Sequence, residues 1–457
     1  MYKNQDSMSM SFIIACENGN RKIAELLLQN KEVDVKYTDE KGRTALHYAA
    51  HRGYLDIVKL LAEDGADINY EDHAGETPLF FACLQKQKQT ALYLLENGAK
   101  IEINDKSGNS LLHLTVQNAQ VEIATKLLEA GIDVNLLNNN GETPILLASA
   151  KLNREIIQLL LDKGAEINTT DKQGNTPLIY ACYTKSLPMV TLLLDNGADV
   201  NHANHSGENA LLIACYETNR MLAKLLVERG ADVFTSNNNG YSPIWYACAN
   251  NQKEIVSLFL ENGVDVNYSK PVAGETSSMN DYLDWIVSAT NIANDSSFTL
   301  NNTYAYGGES LLHVATKKGN LSMVKLLIEA GANINIQDES GNTPLHYSAA
   351  NGKKDVVKYL LDNKADASIV NVKEQKAIDY SNVKGFNEIT ELILKYAPSG
   401  TVVTPIQTSK IEEAVKSDSG NSMEAKKKAL LDLKELLDAG ILTSEEFETE
   451  KTKILKG

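Results

Sequence analysis

The chain has 457 residues, 43% hydrophobic and 23% charged, with 44 Lys and Arg against 60 Asp and Glu and a formal charge of −16. This is the composition of an ordinary folded chain. Its negative field repels phosphate backbones and anionic lipid heads, so the expected partner is neither nucleic acid nor membrane but a basic or polar protein face. No window reaches the roughly 18 to 20 consecutive apolar residues of a membrane helix, and the three domains that length alone suggests are overruled by the periodicity of the chain.

At the N-terminus a short apolar run, Phe12 to Cys16, ends in a sequence similar to a lipoprotein cleavage box. Asp6, Ser7, Ser9 and Ser11 interrupt the stretch before it, so no apolar export region forms, and the expected location is cytoplasmic. Residues 9–38 read as a degenerate first repeat carrying Phe12, Ile13, Ile23, Leu26 and Leu27. Beyond it the chain is periodic. Gly42, Gly75, Gly108, Gly141, Gly174, Gly207 and Gly240 are each 33 residues apart, and the spacing resumes from Gly308 to Gly341.

Each glycine opens a similar phrase, such as Gly75-Glu-Thr-Pro-Leu-Phe-Phe-Ala-Cys83 or Gly341-Asn-Thr-Pro-Leu-His-Tyr-Ser-Ala349. A Thr-Pro pair is a helix start, because the hydroxyl caps free N–H groups and proline suits the first helical position. Thr77-Pro78, Thr143-Pro144, Thr176-Pro177 and Thr343-Pro344 all carry it. Small pairs such as Ala49-Ala50 let a neighbouring helix approach. A second helix comes next, with apolar residues at three- and four-residue spacing, as in Ile57, Leu60 and Leu61, and ends at a glycine such as Gly65, suited to a left-handed cap. A polar turn, as from Asp67 to Gly75, leads to the next unit.

This pattern resembles the ankyrin family, whose 33-residue unit carries T-P-L-H-x-A. The resemblance covers about residues 9–396. It implies a mostly α solenoid in which each helix pair covers the apolar face of the one before. Residues 1–397 are expected to form this domain, with nine full repeats between the first cap and a last cap at 374–396, where Lys376-Ala-Ile-Asp-Tyr380 replaces the usual phrase.

Gly240 and Gly308 are 68 residues apart, 35 more than one period. Two readings compete for residues 269–306. A decayed repeat would put Asp281 and Tyr282 at the small-pair positions and overfill the stack, which favours an insertion in a hairpin loop, with an amphipathic segment from Asn280 to Val287 that includes Trp285. Long loops of this kind are often functional.

Residues 398–421 read as a flexible linker of Pro, Gly, Ser and Thr character. In 422–457, Gly440 ends one helix, and Thr443 with Glu446 forms a capping box that starts another. Leu433, Leu436, Leu437, Gly440, Ile441, Thr443, Glu446, Phe447, Lys451 and Leu455 are similar to the SHOCT domain, a two-helix module. That resemblance implies a prokaryotic source and a tethering or self-association role. A hairpin this small seldom folds unaided, and Leu433, Leu436, Leu437, Ile441 and Phe447 are the candidate oligomerisation residues.

Five cysteines, Cys16, Cys83, Cys182, Cys215 and Cys248, each follow an alanine at the second small position of the first helix. Stacked helices lie about 8 to 10 Å apart, too far for a disulfide, and no C-x-x-C pair supports zinc. They read as buried fillers suited to a reducing compartment. His47, His113, His313 and His346 occupy the T-P-L-H slot, where the resemblance implies a structural hydrogen bond between repeats. His73, His202 and His205 are expected to be exposed in hairpin turns. No phosphate loop, nucleotide-type glycine turn or nucleophile elbow is present, so no catalytic, cofactor or metal site is expected, and the chain reads as no enzyme.

In the ankyrin family partners touch the hairpin tips and the exposed end of the first helix. Carried onto this chain, the partner-binding candidates are His51, Arg52, His73, Gln85, Lys106, Lys151, Tyr183, His205, Tyr216, Tyr241 and, in the insertion, Trp285. Lys317 and Lys318 also follow a small pair. Tyr183 and Tyr216, one period apart, are expected to be neighbours that Tyr241 extends, and tyrosine is enriched at interface hot spots. The functional expectation is a scaffold or adaptor with a protein partner in its groove and self-association through 422–457. A secreted bacterial effector acting on host proteins and a self-assembling structural protein are the alternatives.

Overall fold

The computed structural model describes residues 2–29, 33–270 and 307–396. These residues form helices joined by turns, in two compact units that divide between Val264 and Asp265. In the first unit, eight pairs follow one another: α1 (Tyr2–Glu17) with α2 (Arg21–Gln29), α3 (Ala45–Arg52) with α4 (Leu55–Glu63), α5 (Pro78–Leu84) with α6 (Lys88–Glu96), and α7 (Leu111–Gln117) with α8 (Val121–Glu129). Then come α9 (Pro144–Ala150) with α10 (Arg154–Asp162), α11 (Pro177–Tyr183) with α12 (Leu187–Asp195), α13 (Ala210–Tyr216) with α14 (Arg220–Glu228), and α15 (Pro243–Ala249) with α16 (Lys253–Glu261). The second unit has three described pairs: α17 (Leu311–Lys318) with α18 (Leu321–Glu329), α19 (Pro344–Ala350) with α20 (Lys354–Asp362), and α21 (Ala377–Val383) with α22 (Asn387–Tyr396).

Helices of seven to ten residues are too short to persist alone in water, so their stability comes from stacking. Within each unit a first helix packs between the first helices of its neighbours, as α3 does between α1 and α5, while second helices pack on second helices, as α4 does on α6. Leu46, Ala49 and Ala50 of α3 and Ile57, Val58 and Leu61 of α4 are all buried. The helix starts are those the phrase predicts. Proline occupies the first turn of α5, α9, α11, α15 and α19, and the Thr176 hydroxyl accepts a hydrogen bond from the Ile179 N–H at 3.3 Å. The α1 helix begins at Tyr2, upstream of the cap start expected at residue 9.

Two sets of hydrogen bonds set the distance between pairs. On the turn after several of the second helices, an asparagine bridges to the next pair: the Asn168 side chain donates to the Gly197 carbonyl at 3.4 Å and accepts from the Asp199 N–H at 2.9 Å. Asn69, Asn135 and Asn201 repeat the device. Glu102 and Phe234 hold the same position in the register, and Phe234 is 66% exposed. The second set is made by the slot histidines. Their Nε2 atoms meet a carbonyl of the following pair: Glu76 for His47, Glu142 for His113, Asn342 for His313 and Gln375 for His346, at 2.9 to 3.1 Å.

The hairpins close in a constant way. Asn104 bridges Ser110, Ala203 bridges Asn209 and Val370 bridges Lys376, six residues apart in each case. In the second unit Ser269 bridges Ser310 instead, with the Lys270 N–H donating to the Glu309 carbonyl at 3.0 Å and the Gly308 N–H to the Lys270 carbonyl at 3.2 Å. The asparagine bridge jumps as well, since Asn267 Oδ1 accepts from the Asn333 N–H, 66 residues on, where the Asn168 bridge spans 31. Residues 271–306 of the expected insertion, the 398–421 linker and the 422–457 module lie outside the described residues.

Candidate functional site

The exposed end of each first helix and the hairpin that follows form one face of a unit, and the partner-binding candidates of the first unit sit there. Five occupy the helix ends: His51, half-buried with its ring 5.9 Å from Phe81; Arg52, ion-paired with Glu17 at 3.5 Å; and the exposed Gln85, Lys151 and Tyr183. His73, Lys106 and His205 are exposed hairpin residues whose backbones join consecutive turns: the His73 N–H donates to the Lys41 carbonyl, the His205 N–H to the Gln173 carbonyl, and the Lys106 carbonyl accepts from Asn139 Nδ2 at 3.1 Å. Trp285 and the five oligomerisation candidates, Leu433, Leu436, Leu437, Ile441 and Phe447, lie outside the described residues.

The strongest grouping is aromatic. Tyr216 is 59% exposed and its ring meets Tyr246 edge-on at 5.5 Å. Tyr246 in turn lies 5.4 Å from Tyr241, and Trp245 lies 4.7 Å from Tyr241 and 5.8 Å from Tyr246. Edge-on and tilted arrangements at these spacings are the favourable ones for aromatic pairs. Tyr183 is 41% exposed. Its hydroxyl donates to Glu208 Oε2 at 2.8 Å, which also accepts from Asn204 Nδ2 at 3.2 Å. Burial pushes the Tyr246 hydroxyl up to about 12, and the charge of Glu208 adds to the effect. Tyr246 is therefore a neutral phenol at any physiological pH, within reach of the Glu208 charge.

Trp245, Tyr246 and Glu208 are not among the residues that the repeat pattern singles out. Tyr246 is the fourth residue of its helix, as are Tyr48 and Tyr180, and those two give their hydroxyls to Asp39 and Asp171 at 2.6 and 2.7 Å. In the Tyr246 hairpin the matching residue is Asn237, which reaches the hydroxyl only at 3.5 Å. Asn371 holds the same position before Tyr380 and reaches its hydroxyl at 2.9 Å, so the Asp-to-Asn change alone does not mark the aromatic group.

Two expectations are corrected. Lys317 is not on an exposed helix end: it is 3% exposed, and its Nζ lies 2.6 Å from Glu309 Oε1, itself 1% exposed, and 5.2 Å from the centre of the Tyr347 ring. Burial lowers the Lys317 ammonium, and Glu309 opposes that shift. His202 is half-buried rather than exposed, with its Nε2 2.9 Å from the Gly174 carbonyl. All five cysteines are buried free thiols, and burial alone pushes Cys16, Cys83 and Cys248 up to about 12. Among the described residues no group of three or more His, Cys, Asp or Glu side chains is placed to hold a metal ion, and no helix is long and apolar enough to cross a membrane.

A family model described as ankyrin repeats in three copies matches residues 12–107, 70–138, 112–204, 198–270 and 279–400, and one described as a short C-terminal domain, SHOCT, matches 428–455. The fifth ankyrin match begins inside the stretch expected to be an insertion. No curated protein matches the chain. Most of the chain is covered by the first model, its helix pairs repeat at the spacing that model describes, and the chain belongs to the ankyrin-repeat family, with a SHOCT domain near its C-terminus.

Proposed function

We propose that this chain is a non-enzymatic scaffold or adaptor that holds a protein partner against the first-helix and hairpin face of its repeats, and that residues 422–457 tether it or join it to a second copy. Ankyrin repeats are general protein-interaction modules, and the family is typically non-catalytic. The observation that carries the reading is the ledge of Tyr216, Tyr241, Trp245 and Tyr246, flanked by Tyr183. It gathers the residue types that dominate interface energetics on one face of a rigid stack. Rings already packed against one another lose little conformational freedom when a partner arrives.

A pull-down with the full chain beside a Tyr183→Ala/Tyr216→Ala double variant tests the groove. A specific partner should be recovered by the first and lost or strongly reduced with the second. Equal recovery would retire the ledge as the contact surface. Light scattering before and after deletion of 422–457 tests the tail, and an unchanged mass would remove self-association.

A further inference from the structure

The aromatic ledge carries a charge that the stack does not neutralise. Glu217, at the end of the first-helix face, is paired with Lys185 at 2.7 Å. Glu208 makes no ion pair among the described residues. Its Oε2 accepts only from the neutral donors Tyr183 and Asn204. Glu208 and Tyr241 follow the hairpin glycines Gly207 and Gly240, so they occupy the same position in consecutive repeats. Glu208 thus holds the Tyr183 hydroxyl and its charge reaches Tyr246, whose ring packs with those of Tyr216 and Tyr241, on a chain whose formal charge is −16.

We propose that this site is a clasp for a cationic side chain, an arginine or lysine on an extended segment of the partner, with the cation over the Tyr216 and Tyr246 rings and its charge met by Glu208. Ring faces attract a cation electrostatically, and the attraction grows as water is excluded. Arginine suits the site better than lysine, because its planar fork can stack on a ring and still donate to a carboxylate. An acidic segment is disfavoured here by Glu208 and by the field of the whole chain. The proposal rests on the partner-binding function and adds the chemistry of the residue held.

The test uses the full chain, in which Trp245 lies 4.7 Å from Tyr241. Its fluorescence is followed while adding acetyl-Gly-Arg-Leu-Arg-Gly-amide, or the same peptide with citrulline in place of both arginines. The expected result is a saturable change with the arginine peptide, binding at least tenfold weaker for the citrulline peptide, and weakening in 0.5 M salt. Glu208→Gln keeps the acceptor used by Tyr183 and removes the charge. It and Tyr216→Ala, at an exposed ring, should each weaken binding by about three- to tenfold. Equal binding of the two peptides, arginine-peptide binding indifferent to both variants, or no response to either peptide overturns the clasp. If a partner from the pull-down is still lost with Tyr183→Ala/Tyr216→Ala but is not displaced by the arginine peptide, the clasp falls and the groove reading stands.

Discussion

Acidification should loosen the second unit through its slot histidines, and His313 permits the effect to be worked out. The Ser310 N–H donates to His313 Nδ1 at 3.0 Å, so that nitrogen must be unprotonated, and Nε2 carries the proton it gives to the Asn342 carbonyl at 2.9 Å. A second proton would face the Ser310 N–H inside a fully buried site. Burial, with the nearby Lys317 charge adding, lowers His313 from 6.5 to about 3. The folded state therefore resists a proton that the unfolded chain accepts. Stability is whole above about pH 6.5 and falls as the pH drops toward 3. At pH 5 the loss from this residue is about 2 kcal/mol, since each pH unit below the unfolded value is worth about 1.4 kcal/mol. His346 is lowered in the same direction by burial and should add to it. Urea unfolding at pH 7.5 and pH 5.0, with hydrogen exchange of the 311–318 amides as the local readout, should show the wild type losing about 2 kcal/mol more than His313→Gln over that interval. An equal loss in the two proteins refutes the argument.

Three further outcomes are expected from the repeat geometry. Thr218 is a β-branched residue at φ +57°, where the equivalent turns at Gly53 and Gly319 use glycine. Thr218→Gly should raise stability by about 0.5 to 1 kcal/mol in urea titration, the relief of strain outweighing the entropy of the unfolded glycine. Asn168→Ala removes both bridging bonds to the next turn, so it should cost about 1 kcal/mol and speed exchange of the Asp199 amide, leaving distant repeats unchanged. The five thiols should resist a disulfide reagent at pH 8 in the native protein, and all five should react in denaturant.

The repeat architecture is legible because a stack leaves the same imprint every 33 residues. Thr176-Pro177 marks a helix start by its own chemistry, and Ala181-Cys182 marks the place where a neighbour comes close. What the pattern does not carry is the direction and company of single side chains. Tyr183 and Tyr216 stand one period apart, yet one hydroxyl turns to Glu208 while the other ring rests on Tyr246. Period alone cannot distinguish those choices. Position puts Lys317 at the exposed end of its helix, but Glu309, eight residues earlier, draws it inward. The start of α1 is hidden because Asn4-Gln-Asp-Ser-Met-Ser-Met-Ser11 has no apolar stripe.

The slot histidines reach 29 residues ahead, and the acceptors of Asn69, Asn135, Asn168 and Asn201 reach 31. Excising residues 136–168 would bring Asn135 to the place of Asn168, where the Gly197 carbonyl and Asp199 N–H already wait for an asparagine. Such a chain can lose or duplicate a whole repeat and keep these bridges, whereas a change of another length shifts their register. Gene-level slippage is thus sorted by geometry, so the reach of the binding face can be retuned in steps while the joints stay the same.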